Sequence, residues 1–278
     1  MPELPYFDLL IDERQDGGET GQLWEQSVHW GYWEDPKSAV VATRADYIAA
    51  MEQMNVVLFQ AGKLADGQRL LDVGCGFGGT IQQINAAYSD MDLTGLNIDP
   101  RQLAAAEAQT KPANGNRIGW VEADACQLPF EDNSFDRILA VECVFHFPSR
   151  ERFLAEAARV LKPGGYLAVS DFVPAMGFFG KTPIWMAIRG RIEKSYGTLG
   201  NVPLRSYKAL GKRAGLRLDA SRNIRKNTMP TYPFLIKFFR EQGSADAQKV
   251  MISGTRWMKW LSKLGLIQYQ VYTFHKPA

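Results

Sequence analysis

A glycine-rich turn between a short apolar strand and a helix constrains this fold more than any other feature of the chain. Residues 70–79 read Leu-Leu-Asp-Val-Gly-Cys-Gly-Phe-Gly-Gly. Glycine tolerates positive φ angles and lets a ligand approach the backbone closely. The free N–H groups at the start of the following helix favour anionic or polar ligand groups. The segment therefore predicts a ligand site at the end of a strand, although a tight turn without a ligand would need similar residues.

The sequence around this turn alternates between strand and helix patterns. The predicted strands are Arg69–Val73, Asp92–Ile98, Arg117–Glu122, Phe135–Val141 and Tyr166–Phe172, and the predicted helices are Thr80–Tyr88, Pro100–Thr110 and Arg150–Leu161. Such alternation is typical of an α/β protein with a parallel sheet and helices on both faces. Residues 162–165, Lys-Pro-Gly-Gly, predict a turn before the fifth strand.

The flanking regions are less regular. Apolar spacing predicts helix between Ala39 and Leu64, at Ser206–Ala214 and between Met229 and Leu264, and strands at Leu216–Asn223 and Ile267–His275. The stretch from Pro174 to Pro203 is rich in glycine and aromatic residues and indicates an insertion.

Composition excludes several classes of protein. Of 278 residues, 46% are hydrophobic and 22% charged, which is an ordinary globular balance. Because 32 Lys and Arg nearly balance 30 Asp and Glu, no overall charge favours nucleic acid. With three cysteines in no CxxC pair and three histidines, a disulfide framework or a structural zinc site is not expected. The absence of a long apolar run or a signal-like N-terminus makes the cytoplasm the expected location.

Five short segments together resemble the class I S-adenosylmethionine-dependent methyltransferases. The nearest likeness is to the small-molecule branch, which includes quinone-biosynthesis (methyltransferase type 11), sugar O-methylating, sterol and tocopherol enzymes. The segments are His29-Trp30-Gly31-Tyr32-Trp33, Leu71-Asp72-Val73-Gly74-Cys75-Gly76, Asp124-Ala125-Cys126-Gln127-Leu128-Pro129-Phe130, Asn133-Ser134-Phe135-Asp136 and Arg159-Val160-Leu161-Lys162-Pro163-Gly164-Gly165. The resemblance is strong from Trp24 to about Val173 and looser beyond.

This resemblance implies a fold, a cofactor and an organisation of the chain. The fold is a Rossmann-like, seven-stranded, mostly parallel sheet with helices on both faces and an antiparallel last strand. The cofactor is S-adenosyl-L-methionine, converted to S-adenosyl-L-homocysteine. Residues 1–66 would form an N-terminal helical and aromatic lid segment. Residues 67–278 would form the methyltransferase domain, with helical acceptor-lid insertions at about 176–203 and 229–265.

The resemblance also assigns cofactor contacts. Gly74 and Gly76 are expected beneath the amino-acid and ribose parts, and Asp72 near the ammonium group. Asp124 and Ala125 would meet the adenine, with the Asp124 carboxylate accepting from its exocyclic amine.

The resemblance assigns three more contacts. Glu142, at the end of the fourth strand, is expected beside the methionine part, and Ile98 is included after the second strand. Tyr32 is expected to contact the cofactor, because an aromatic face attracts a sulfonium. Asp72 and Glu142 could instead be helix-cap or ion-pair residues, and the aromatic segment could simply anchor the N-terminal helices.

The ribose site departs from the common family pattern. Where many members have an acidic residue at the end of the second strand, this chain has Asn97. Asp99 and Pro100 form a typical N-cap and first helical residue. The sterol and cyclopropane-type branches resemble this variant, with a glutamine five residues on, so Asn97 and Gln102 are expected at the ribose. A nicotinamide cofactor would favour an acidic residue there, which argues against the dinucleotide interpretation of Gly74, Gly76 and Gly79.

Two residues are candidates for catalysis. His146 follows the fourth strand and Asp171 ends the fifth, at the sheet edge where open α/β folds bind ligands. In the sugar O-methylating relatives, a His and an Asp at these positions are the base and its helper. O-methylation with His146 as base is therefore the first expectation, and N- or C-methylation of an aromatic, amine or isoprenoid acceptor is the alternative. Either residue could instead be structural, His146 as a loop histidine and Asp171 in an ion pair.

Two further features bear on the acceptor. Aromatic and Met residues fill Phe178–Tyr196 and Met229–Leu264, including Trp257 and Trp260 on one helix face, which indicates core packing or an apolar small-molecule pocket. Eight cations against one acid between Arg205 and Lys226 indicate a solvated surface, a diphosphate-bearing acceptor or contact with an anionic membrane. Remote alternatives are a nicotinamide-dependent oxidoreductase and a catalytically silent cofactor-binding protein. A role in natural-product biosynthesis is a further expectation, and the sequence does not identify the pathway.

Overall fold

Seven strands and ten helices form the part of the chain that the computed structural model describes, which is residues 8, 11–12, 14, 17–25, 27–37, 39, 42–175, 183–196 and 206–278. The strands are β1 (Arg69–Val73), β2 (Asp92–Asn97), β3 (Arg117–Glu122), β4 (Phe135–Ala140), β5 (Leu161–Pro174), β6 (Arg217–Asn223) and β7 (Ile267–His275). The helices are α1 (Glu19–Leu23), α2 (Arg44–Ala61), α3 (Gly79–Ala87), α4 (Pro100–Gln109), α5 (Arg150–Val160), α6 (Pro183–Tyr196), α7 (Ser206–Arg213), α8 (Arg225–Thr228), α9 (Thr231–Gln242) and α10 (Ala245–Lys263).

The strands form one sheet in the order β3-β2-β1-β4-β5-β7-β6. The first five strands are parallel, and β7 runs antiparallel to both β5 and β6. The expected Rossmann-like, mostly parallel sheet with an antiparallel last strand is therefore confirmed. β2 and β4 lie on opposite sides of β1, so the strand order reverses between β1 and β4. Open α/β sheets bind ligands in the crevice at such a reversal, beside the carboxyl ends of these two strands.

Neighbouring residues on the strands enter two different cores. Leu70 of β1 and Leu139 of β4 pack with α2, α3 and the C-terminal helices, whereas Leu71 and Ile138 pack with α5 and α7 on the other face. Because successive strand residues point to opposite faces, this sheet is covered by helices on both.

The described helices and strands match the sequence prediction closely, with one clear difference in β5. Residues 162–165, predicted as a turn, lie within the β5 strand, which begins at Leu161. Gly164 has a φ of +77°, and its N–H donates to the Lys276 carbonyl at 2.8 Å. The chain after β7 thus holds this stretch in the sheet, a long-range contact that local turn chemistry does not reveal. Residues 176–182 and 197–203 of the predicted insertion lie outside the described residues.

Helices α6 and α10 pack closely against each other beside the sheet. An added Cβ at Gly254 of α10 would lie 2.0 Å from the Ser195 hydroxyl of α6, so only glycine fits this crossing. Trp260 of the same helix is 49% exposed. The expectation that Trp257 and Trp260 form a core face is therefore wrong for Trp260, because α10 turns its other face inward.

We predict opposite effects for two glycine-to-alanine changes in these helices. Gly254→Ala should destabilise the protein by about 1–3 kcal/mol, because overpacking forces Ser195 and its helix to shift. Gly190→Ala is the matched control, since an added Cβ at Gly190 of α6 meets nothing within 4 Å. It should stabilise the protein by about 0.5–1 kcal/mol through helix propensity. Urea unfolding measures both, and equal effects would contradict the close contact.

Candidate active site

A cavity of about 350 Å³ opens at the carboxyl edge of the sheet, between the ends of β1 and β4. Nine of the residues expected at the site line it. They are Gly74, Gly76, Asn97, Ile98, Gln102, Asp124, Ala125, Glu142 and His146. The sheet topology therefore brings together residues from four segments that lie far apart in the sequence.

The glycine turn forms the floor of this cavity. Gly74 and Gly76 have φ angles of +73° and +53°, which residues with a side chain rarely adopt. The N–H groups of Gly74 and Cys75 donate to the Leu96 carbonyl at 2.7 and 3.0 Å, which ties the turn to the end of β2. An added Cβ at Gly76 would meet no protein atom within 4 Å. A side chain there would project into open space, so glycine leaves room for a ligand over the backbone.

Asn97 and Gln102 form one buried polar pair. The Asn97 amide nitrogen donates to the Gln102 side-chain oxygen at 2.6 Å, and the two residues are 6% and 3% exposed. This bond joins the end of β2 to the first turn of α4, whose N-cap is Asp99, as the sequence predicted. The pair presents amide groups to the cavity and no charge.

Asp124 lies at the exposed rim of the same cavity, next to the buried Ala125. Its carboxylate accepts from the Cys126 N–H at 2.8 Å, which orients the side chain.

Asp72 lies just behind the cavity wall rather than in it. The residue is 1% exposed, and its Oδ2 atom has no hydrogen-bond partner among the described residues. Burial raises the pKa of this carboxyl to about 8. Cys75 and Cys143 do line the cavity, and the charge of Asp72 helps to raise the pKa of both thiols. An unpaired buried carboxyl costs free energy, so this position favours a cationic or donor group of a ligand.

Glu142 is the most constrained residue of the site. Its φ of +50° is uncommon for a residue with a side chain, and such backbone strain is typical of functional positions. Its Oε1 atom accepts from the Trp30 N–H at 2.8 Å and from the Tyr269 hydroxyl. Burial raises the pKa of Glu142 to about 8, although these two hydrogen bonds oppose the shift. Glu142 thus connects the N-terminal segment to β7.

A second, smaller cavity of about 40 Å³ adjoins the first. Val28, His29, Glu142 and His146 line both. The remaining walls are mostly apolar and come from the N-terminal segment, the turn after β4 and the helices α6, α9 and α10: Trp24, Trp30, Tyr47, Phe145, Tyr196, Leu235 and Met251. Residues of α6, α9 and α10 therefore border this cavity.

His29 is a residue of both cavities that the sequence analysis did not single out. It is 7% exposed, and its Nδ1 atom lies 3.2 Å from the Trp30 carbonyl. Burial lowers its pKa to about 4, so the ring is neutral at physiological pH. The aromatic segment at 29–33 carried the family resemblance, but nothing in its spacing distinguished His29 from Tyr32.

His146 stands between the two cavities, in a short 3₁₀ turn after β4. Its ring contacts Phe145 edge-on, with centroids 4.2 Å apart. Burial and the nearby Arg150 guanidinium lower its pKa to about 3. The imidazole is therefore unprotonated over the whole physiological range.

Asp171 does not reach either cavity. It is fully buried and forms a two-bond ion pair with Arg150, at 2.8 and 3.0 Å, and accepts from the Tyr207 hydroxyl. Its expected role as helper of His146 is not supported, because its hydrogen bonds go to α5 and α7. The ion-pair alternative describes it correctly, and the sequence did not single out Arg150 or Tyr207 as its partners.

Tyr32 also lies outside both cavities. Its hydroxyl accepts from Arg222 of β6, whose guanidinium lies 5.3 Å from the ring centroid, and its N–H donates to the Ala50 carbonyl at 2.7 Å. The aromatic segment turns away after Trp30, which places Val28 and His29 at the cavity instead.

The described residues offer neither a metal site nor a membrane span. Within the ranges given above, no group of three His, Cys, Asp or Glu residues is placed to hold a metal ion. No helix there is long and apolar enough to cross a bilayer.

Comparisons with known proteins point to one enzyme family. A family model described as a methyltransferase domain matches residues 71–169. The chain is 30% identical to "Methyltransferase GfsG" of Streptomyces halstedii over 82% of its own length and 81% of that protein. It is 33% identical to 27-O-demethylrifamycin SV methyltransferase of Amycolatopsis mediterranei over 76% and 74% of the two chains.

Solved structures agree on the fold. The geranyl diphosphate C-methyltransferase of Streptomyces coelicolor, crystallised with S-adenosyl-L-homocysteine, covers 99% of both chains with a TM-score of 0.73 at 15% identity. Mycolic acid cyclopropane synthase CmaA1, also complexed with S-adenosyl-L-homocysteine, covers 92% of this chain with a TM-score of 0.73.

We predict that Asp171→Asn destabilises the protein strongly. Removing one charge of a buried ion pair leaves the other uncompensated and costs about 3–5 kcal/mol. Urea unfolding at neutral pH measures this loss. The control is Asp219→Asn, which breaks an exposed pair with Arg217 and should cost at most about 1 kcal/mol. Equal costs for the two changes would contradict a structural role for Asp171.

Proposed function

We propose that this chain, which belongs to the class I S-adenosylmethionine-dependent methyltransferases, methylates a hydroxyl group of a small, mostly apolar metabolite. In this proposal the hydroxyl-bearing part of the acceptor enters the second cavity. His146 accepts the proton that the hydroxyl loses.

The first cavity has the chemistry that the cofactor requires. S-adenosyl-L-methionine supplies a methyl group on a positively charged sulfur. Gly76 leaves open space over the backbone, and the Asn97–Gln102 pair offers neutral amides to the ribose hydroxyls. Asp124 at the rim can accept from an amine of the adenine. Asp72, with an unpartnered buried oxygen, is suited to compensate the ammonium group.

The observation that carries the proposal is the adjoining apolar cavity. His29, Glu142 and His146 line both cavities, so a group in the second lies next to the reacting end of the first. Its other walls are largely aromatic and aliphatic, which favours an acceptor that is apolar around the reacting group. A volume of about 40 Å³ holds little more than that group. The rest of a larger acceptor must extend past the α6, α9 and α10 helices.

His146 is suited to take a proton even though its pKa is low. In-line displacement needs the acceptor oxygen close to the methyl group and aligned with it. As the new bond forms, the oxygen becomes a protonated ether, which is a far stronger acid than an imidazolium with a pKa of about 3. A neutral imidazole can therefore accept this proton, and Arg150 helps to keep the ring neutral beforehand.

Two further observations bear on the choice of acceptor. The names of two matched proteins, 27-O-demethylrifamycin SV methyltransferase and O-methyltransferase rstn1, refer to oxygen methylation and support a hydroxyl. The alternative of a carbon acceptor is favoured by the carboxyl of Glu142 and the rings of Trp30, Tyr47 and Tyr196. Methylation of an alkene carbon creates a cation, which a carboxylate and aromatic faces stabilise. The pKa of about 8 at Glu142 weakens this alternative, since much of its charge is absent at pH 7.

We predict that His146→Ala lowers turnover by about 10²–10⁴-fold without weakening S-adenosyl-L-homocysteine binding. The assay transfers a labelled methyl group to a panel of hydroxylated macrolactams, phenols and sterols, each paired with its methyl ether as a control. For the unmodified enzyme at saturating S-adenosyl-L-methionine, the rate should not fall as the pH drops from 8 to 5, because His146 stays neutral above about pH 3. Near-normal turnover of the His146→Ala variant would contradict the role of His146. So would a rate of the unmodified enzyme that rises with pH up to about 8, because that is the pKa of Glu142 and would indicate Glu142 as the base.

We also predict that cofactor binding releases a proton from Asp72. Without ligand its pKa is about 8, so the carboxyl is mostly protonated at pH 7. An ammonium group favours the ionised form, and affinity should therefore rise with pH and level off above about pH 8. Calorimetric titration with S-adenosyl-L-homocysteine in two buffers of different ionisation enthalpy counts the protons. Asp72→Asn should abolish this release, whereas Glu142→Gln is the control that should retain it. An unchanged proton count in Asp72→Asn would contradict the assignment.

A further inference from the structure

Two large apolar side chains are exposed at the end of α10. Trp260 of α10 and Leu264, which follows α10 directly, are 49% and 54% exposed and lie four residues apart. Such clustering marks a contact surface more often than scattered single residues do. Met186 of α6 is also exposed, at 61%, but it is two residues from Ile188 and therefore points to the other side of its helix.

Cations share the outward face of α10 with Trp260. Lys249, Arg256, Trp260 and Lys263 follow one another at spacings of seven, four and three residues, which places them on one side of a helix. Met251, Met258 and Leu261 lie on the opposite, buried side. The helix is therefore amphipathic, with aromatic and basic residues together on its outer face.

An open groove runs along this face. Ile188, Ile252 and Trp257 supply apolar walls, and Arg240, Lys249 and Arg256 supply charge. Within the described residues, none of these three cations forms an ion pair with a carboxylate. We name this surface, formed by Arg240, Lys249, Arg256, Trp260 and Leu264, the outer lid face.

We propose that the outer lid face docks on a membrane surface that contains anionic phospholipids. Trp260 and Leu264 would enter the boundary between headgroups and acyl chains, while the cations contact lipid phosphates. A tryptophan among Lys and Arg residues on an amphipathic helix suits that boundary, because the ring has an apolar body and a polar N–H. The unpaired positive charge is complementary to an anionic leaflet.

Charge disfavours a second copy of this chain as the occupant. A two-fold contact presents the same patch from both partners. Arg240, Lys249, Arg256 and Lys263 would then face cations of the other copy, and none of the four forms an ion pair among the described side chains. An anionic lipid surface has no such conflict.

The basic segment near Lys226 fits a membrane less well. Arg213 pairs with Glu151, Arg217 pairs with Asp219, and Arg222 donates to Tyr32. Its described residues include no large exposed apolar side chain. Lys208 and Lys212 are two of its exposed cations. They offer charge without an apolar anchor, which makes this segment a control.

Docking would place the lid next to an apolar phase. Tyr196 of α6, Leu235 of α9 and Met251 of α10 line the second cavity, whereas the outer lid face lies on the far side of the same helices. An acceptor dissolved in the bilayer could then reach the lid without crossing water. The docking itself does not depend on which atom the enzyme methylates.

The test is co-sedimentation of the full chain with sucrose-loaded vesicles. Vesicles of equal parts phosphatidylglycerol and phosphatidylcholine should bind the protein, and pure phosphatidylcholine vesicles should bind it much less. Added salt should weaken binding, because the charges involved are exposed. Absence of binding to the anionic vesicles would overturn the proposal.

Matched variants separate docking from general attraction between charges. Lys249→Glu with Arg256→Glu should lower partitioning at least about tenfold, and Trp260→Ser should lower it at constant charge. Lys208→Glu with Lys212→Glu changes net charge equally and should leave partitioning within about twofold. Unchanged S-adenosyl-L-homocysteine binding reports that each variant is folded. Equal losses in the two double variants, no effect of Trp260→Ser, or a concentration-dependent dimer that Trp260→Ser disrupts would each refute membrane docking.

Discussion

The close approach of the β1 turn to the loop after β4 determines where this protein can bind a ligand. An added Cβ at Gly74 would lie 2.6 Å from the Cβ of Cys143, so a larger residue would push the two strand ends apart. With glycine there, the crevice at the reversal of strand order stays narrow enough for both walls to contact one ligand. Glu142, Cys143 and His146 reach the cavity only because β4 lies directly beside β1.

Three buried acidic residues at the carboxyl ends of parallel strands differ in their partners, and this difference separates structure from function. Asp171 has a full ion pair with Arg150, which satisfies its charge within the protein. Glu142 has two neutral donors and a raised pKa, and Asp72 has an oxygen with no described partner and a raised pKa. Burial disfavours an unpaired charge. The two incompletely compensated groups therefore lie at or behind the ligand cavity, and the compensated one does not.

The two faces of the C-terminal helices differ in chemistry. Their inner residues close a small apolar cavity beside the first cavity, and their outer face combines an exposed tryptophan with cations that form no ion pair among the described residues. Close packing at Gly254 and Ser195 couples α6 to α10, so the two helices form one unit. Under the proposed function, a movement of this unit to admit an acceptor would also shift the outer lid face.

Local sequence predicted most strands and helices, the glycine turn and the N-cap at Asp99, because periodicity and capping depend on near neighbours. The expectation for Asn97 and Gln102 came from the family resemblance instead. Tertiary structure alone decided which side chains share a cavity. His29 lines both cavities, whereas Tyr32 lines neither. Asp171 forms an ion pair with Arg150, and Trp260 is exposed to solvent. Each of these outcomes depends on a partner far away in the chain, and a residue's own type and spacing do not encode which distant group fills the space beside it.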